Sequence, residues 1–130
     1  MPRKKREPEY VLHIFFGKNE ETREDVIVFL IQTTKVFLYF NYQILFDGKI
    51  KGNTIELNIR GLRTPPVTLP ALGPATGRFE IPRVWGIFTL VVKKLKRDVN
   101  EFRLEITDSR ITVLDSPPKS FLLIQTNQPT

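Results

Sequence analysis

Val36-Phe37-Leu38-Tyr39-Phe40-Asn41-Tyr42-Gln43-Ile44-Leu45-Phe46 carries an apolar residue at every second position. Val36, Leu38, Phe40, Tyr42, Ile44 and Phe46 make one set; the other is apolar at its ends and polar at Asn41 and Gln43. Alternation of β-branched and aromatic residues at period two predicts a strand with at least one buried face. No other alternating run is as long. Upstream, residues 10–16 alternate as a first strand, and residues 26–31, six consecutive apolar positions, suit a strand covered on both faces. Residues 32–35 then read as the reversal of a hairpin that makes 26–31 and 36–46 neighbours.

Downstream, Asp47-Gly48 signals a tight turn, because both residues tolerate positive φ. Ile55, Leu57 and Ile59 alternate with Glu56, Asn58 and Arg60 as a half-buried strand. Residues 61–77 hold four prolines and three glycines without a sustained period and read as a long loop. Residues 79–81 form a short extended piece ended by Pro82. Residues 86–96 set Phe88, Leu90 and Val92 on one face, residues 97–100 read as a hairpin loop, and Phe102, Leu104 and Ile106 resume the pattern. Asp108-Ser109 turns the chain into Ile111 and Val113, Pro117-Pro118 breaks it, and residues 121–124 are the last strand. No helical period of ten residues occurs.

Short strands at this spacing imply an all-β fold: a single-domain antiparallel β-sandwich of about eight strands over residues 10–126, with a β-barrel as the alternative. The ordered hairpins of the C-terminal half resemble an immunoglobulin-like layout in pattern alone. The Cys–Trp–Cys core hallmark is absent. Residues 1–9, with two prolines and no apolar side chain able to dock, read as a flexible basic arm.

The chain has 130 residues, 41% hydrophobic and 26% charged, enough to bury one sizeable core. It has no cysteine, which removes disulfides, thiolate metal sites and Cys nucleophiles. With no secretory pattern and no apolar run long enough to span a bilayer, a cytoplasmic location and no membrane span are expected. The net charge of +6 is uneven: +4 over residues 1–6, −3 over 7–46, +7 over 47–97 and −2 over 98–130.

A single histidine, His13, leaves acid–base and nucleophilic catalysis without a partner set, so no enzyme, metal or cofactor is expected. Two features carry binding chemistry. Arg3, Lys4, Lys5 and Arg6 form a basic arm suited to an anionic partner. Arg60, Arg63, Arg78, Arg83 and Trp85 combine guanidinium groups with an indole, a set suited to phosphates, carboxylates or stacked bases. Lys93, Lys94, Lys96 and Arg97 extend it if the hairpin tip points the same way. Against this stands Trp85 as a core residue sealing one end of the sandwich. The expectation is a non-enzymatic binding or assembly module, its partner another protein or a second copy of itself. The alternative is a nucleic-acid-binding β-barrel that uses the arm and the basic middle segment.

Overall fold

The computed structural model describes residues 8–38, 42–64, 73–95 and 97–127. Among them all regular structure is β: β1 (Tyr10–Lys18), β2 (Asp25–Phe37), β3 (Gln43–Lys51), β4 (Thr54–Arg63), β5 (Gly73–Pro82), β6 (Gly86–Lys94), β7 (Asp98–Ile106), β8 (Ile111–Asp115) and β9 (Leu122–Gln125). They lie in one nearly closed, barrel-like sheet in the order β8-β7-β6-β4-β3-β5-β2-β1-β9. The all-β class holds, and the barrel alternative is the one that fits. The sheet is mixed rather than antiparallel throughout: β1·β9, β3·β5 and β4·β6 pair in parallel.

Period-two alternation decides what is buried. On β4 the inward residues Ile55, Leu57 and Ile59 are buried, and on β7 so are Phe102, Leu104 and Ile106. These join Leu12, Ile14, Phe29, Leu90 and Leu122 in one core cluster to which all nine strands contribute. Residues 26–31 are apolar on both faces for a reason the structure supplies. Ile27, Phe29 and Ile31 enter that core, while Val26 and Val28 pack with Phe15 and Leu30 in a second cluster on the other face.

β3 and β5 share a single ladder pair, Gln43 with Thr76, so the sheet divides into a five-stranded and a four-stranded half joined there. Close approach holds the halves together. A Cβ on Gly77 would sit 2.9 Å from the Ile44 carbonyl oxygen. A Cβ on Gly48 would sit 2.7 Å from the Glu56 carbonyl oxygen and 3.0 Å from the Phe79 ring. Gly48 is therefore a mid-strand contact glycine, and the turn expected at Asp47-Gly48 lies instead at Gly52-Asn53, with Gly52 at φ 58°.

Three further expectations are corrected. Residues 36–46 are not one strand: β2 ends at Phe37, β3 begins at Gln43, and residues 39–41 lie outside the described residues. Residues 32–35 do not reverse the chain but continue β2, whose neighbours are β1 and β5 rather than β3. Their polar groups serve adjacent backbone: the Thr33 hydroxyl accepts from Ala75 N–H at 2.9 Å, and the Thr34 hydroxyl donates to the Pro8 carbonyl at 2.9 Å. The long loop is shorter than read, because Gly73 already starts β5; residues 65–72 lie outside the described residues.

The open seam between β8 and β9 is bridged by Asn100, a buried residue of β7. Its Nδ2 donates to the Lys119 carbonyl at 3.2 Å. Its Oδ1 accepts from Phe121 N–H at 3.0 Å and from the Ser120 hydroxyl at 3.1 Å. Beside it Lys94 pairs with Glu9 at 2.9 Å and Asp98 at 3.4 Å. We predict that Asn100→Ala, which removes the amide and leaves these buried partners unpaired, costs about 1–3 kcal/mol in urea denaturation. An unchanged midpoint would remove Asn100 from the closure.

Candidate anion-binding pole and groove

Strands that follow one another in the chain run in opposite directions, although some neighbours in the sheet are parallel. The even-numbered strands all end at the pole where the chain enters at Pro8, and the odd-numbered strands all start there. The links at this entry pole gather cations that the sequence holds far apart. Lys35 comes from the end of β2, Arg63 from the end of β4, Lys94 and Arg97 from the β6–β7 link, and Lys119 from the β8–β9 link. Of the carboxylates there, Glu9 and Asp98 are both held by Lys94, and Asp115 accepts from Ser116 N–H. Lys35, Arg63, Arg97 and Lys119 have no carboxylate partner among the described residues. Arg63 is held outward by Gln43, its Nε donating to Oε1 at 2.9 Å. The basic arm, Arg3, Lys4, Lys5 and Arg6, lies outside the described residues but attaches at this pole, since Pro8 and Glu9 are fixed by hydrogen bonds to Thr34 and Phe121. Lys96 is also outside them.

At the far pole five cations, Lys18, Arg23, Lys51, Arg83 and Arg110, face five carboxylates, Glu20, Glu21, Glu24, Asp25 and Asp108. The uneven charge of the sequence thus becomes an axial polarity in the fold.

A groove of about 520 Å³ runs over the outward face of β3, β4 and β6, lined chiefly by Asp47, Lys49, Glu56, Asn58, Arg60 and Lys93. An adjoining hollow of about 190 Å³ shares Asn58, Arg60 and Lys93 and reaches Leu95 at the entry pole. These residues meet because the parallel β4·β6 register sets Asn58 beside Lys93 while the β3·β4 register sets Asp47 beside Asn58. Asp47 accepts from Asn58 at 3.2 Å and is paired with Arg60 through Nε and through Nη2 at 3.4 Å. Lys93 pairs with Glu56 at 3.3 Å. The Arg60 hydrogen bond, against a smaller effect of desolvation, holds the Asp47 carboxyl below its ordinary value, and the same contact raises Arg60.

The five residues singled out from sequence are not one patch. Arg60 is in the groove and Arg63 at the entry pole. Arg78 is on the outward face of β5, paired with Glu80 at 2.7 Å. Arg83 and Trp85 stand together in the β5–β6 link at the far pole. There the Arg83 guanidinium lies 3.9 Å from the centre of the Phe16 ring and donates to the Asp108 carbonyl at 3.3 Å. Trp85 is 62% exposed, so it does not seal the core. The β6–β7 hairpin tip does not point toward Trp85: Lys93 lies beside Arg60 in the groove, and Lys94 is at the entry pole, paired with Glu9 and Asp98.

Asp47, Lys49, Glu56 and Asn58 were not singled out from sequence. The outward alternation on β4 flags Glu56 and Asn58 as surface residues, but nothing in the sequence says that β6 lies beside β4. His13 is buried, with Nδ1 3.3 Å from the Asn127 carbonyl oxygen. Among the described residues no cluster of His, Asp and Glu suits a metal ion, and no helix is long and apolar enough to cross a membrane. Comparison with family models, curated proteins and solved structures finds no match to this chain.

Two outcomes follow from this geometry. Trp85 should emit at long wavelength and be readily quenched by iodide, and Trp85→Ala should change stability by less than about 0.5 kcal/mol, as for surface residues generally. Blue-shifted, unquenched emission would contradict the exposure. Asp47, followed by carbon-detected NMR titration, should lose its proton below the ordinary carboxylate range and return toward it in Arg60→Gln. A depressed pKa means that the pair's contribution is complete above the unfolded-state value and is lost as pH falls through the folded one. An Asp47 titration unaffected by Arg60→Gln would contradict the pairing.

Proposed function

We propose that the protein is a non-enzymatic binding module that takes a nucleic acid on its entry pole. One observation carries this reading: four cations without carboxylate partners among the described residues, from the ends of β2 and β4 and from the β6–β7 and β8–β9 links, share a pole with the attachment point of the basic arm. Polyanion binding at such a surface is driven by release of counterions from the phosphate backbone, so the number of engaged cations sets its strength and salt dependence. Of the partner classes the sequence suggested, this charge arrangement favours nucleic acid over a protein surface of mixed charge. Trp85 has no part in this site. The cations of the pole engage the phosphate backbone, which positions the strand.

The test is fluorescence anisotropy with labelled 20-nucleotide single strands and duplexes between 50 and 200 mM salt. Binding should weaken steeply with salt. Removing residues 1–6, or substituting Arg63→Glu with Arg97→Glu, should weaken it further and flatten the log K against log[salt] slope by about 0.7–0.9 for each phosphate no longer engaged. Lys51→Glu with Arg110→Glu, at the far pole, should bind as the wild type does. No salt-dependent binding at 50 mM, or equal losses from both poles, would refute the reading.

A further inference from the structure

The groove contains cations that the folded protein already occupies with its own carboxylates. We propose that the phosphodiester backbone of the bound nucleic acid continues from the entry pole into the groove across β3, β4 and β6, where its phosphates displace Asp47 from Arg60 and Glu56 from Lys93. This inference rests on the nucleic-acid reading and adds a path and an exchange to it.

Continuity is the first support. The hollow that begins at Leu95 on the entry pole opens into the groove through Arg60 and Lys93, which line both. A chain held by Arg63 and Arg97 therefore has a recessed route onward, in which Asn58, Arg60 and Lys93 are the polar groups shared by hollow and groove. Placement of charge is the second. Lys49 on β3 and Lys93 on β6 flank β4 on either side, level with Glu56 and Asn58 respectively, and two strand spacings with a two-residue offset put them about 12 Å apart. Arg60 stands on β4 between the pole and this pair. The third is chemical equivalence. A carboxylate and a phosphate offer a guanidinium the same two-oxygen acceptor, so Arg60 changes partner without leaving a buried charge or changing its geometry. Both ion pairs are part-exposed, which keeps the exchange shallow in energy. Ionised at neutral pH, Asp47 competes with phosphate throughout the physiological range.

The exchange predicts a gain-of-binding variant. In the wild type, a phosphate reaching Arg60 releases a cation from the nucleic acid, but the freed Asp47 carboxylate attracts one back. With Asp47→Asn the recapture is gone. Binding of a labelled thymidine 20-mer should then tighten about three- to fivefold at low salt, the scale of an exposed ion pair, and the salt slope should steepen by about 0.7. Arg60→Gln should weaken binding, and adding Asp47→Asn to Arg60→Gln should give no tightening, because the carboxylate then has no guanidinium to withhold. Circular dichroism of each variant checks that the fold is kept. Equal tightening by Asp47→Asn with and without Arg60 would reduce the effect to bulk charge and overturn the exchange. Wild-type affinity in Arg60→Gln would overturn the path. If binding responds to Arg63 and Arg97 but to neither groove residue, the groove inference fails and the pole reading stands; if the wild type does not bind, both fail.

Discussion

Asn100 sits where this sheet fails to close on itself. β8 and β9 are the two edges, and no backbone ladder joins them. An exposed strand edge presents unpaired backbone groups and is a liability for a soluble protein. Here one amide side chain, placed inward on β7, reaches across to the segment before β9 and satisfies two of its backbone groups and a hydroxyl. Such a buried amide is costly when half satisfied and stabilising when fully paired, so it also fixes the register at which the edges meet. The core depends on this, because Leu122 is buried only when β9 lies against β1 at that register.

The same closure sets the electrostatics. Lys94, beside the seam, draws Glu9 and Asp98 to itself; burial works against its charge, but the two carboxylates outweigh that and leave its pKa raised. Two of the entry pole's carboxylates are thereby used up, and Lys35, Arg63, Arg97 and Lys119 are left without a carboxylate partner among the described residues. The excess is thus a product of where acids are spent as much as of where bases are placed.

The sequence shows the strands more clearly than their neighbours. Ile55, Leu57 and Ile59, or Phe102, Leu104 and Ile106, reveal a buried face because side-chain direction in a strand is fixed by period two alone. Residues 36–46 mislead for the same reason: the alternation is real at both ends, but nothing local records that one end belongs to β2 and the other to β3. Gly48 misleads differently. A glycine after Asp carries the composition of a turn, yet here it is demanded by the Glu56 carbonyl on the next strand and by the Phe79 ring, which is remote in sequence. The candidate site divides along the same line. Arg60 and Arg63 are visible as surface cations, while their company depends on the parallel β4·β6 pairing, and Trp85 lies at the opposite pole because β5 and β6 meet there.

The parallel pairing of β9 with β1 has a consequence for how the molecule comes into being. Tyr10 and Leu122 are partners although roughly 110 residues separate them, a closure that costs about 0.6 kcal/mol more for each doubling of the intervening chain. Hairpins such as β1–β2 and β6–β7 can form as soon as they leave the ribosome, whereas the outer edge of β1 stays open until residues 122–125 have been made. Pairings so distant in sequence fold slowly. Until then the arm is tethered to an unfinished edge, and the cations of the β8–β9 link have not yet joined those of β2, β4 and β6. The charged pole is therefore assembled only after β9 has docked on β1.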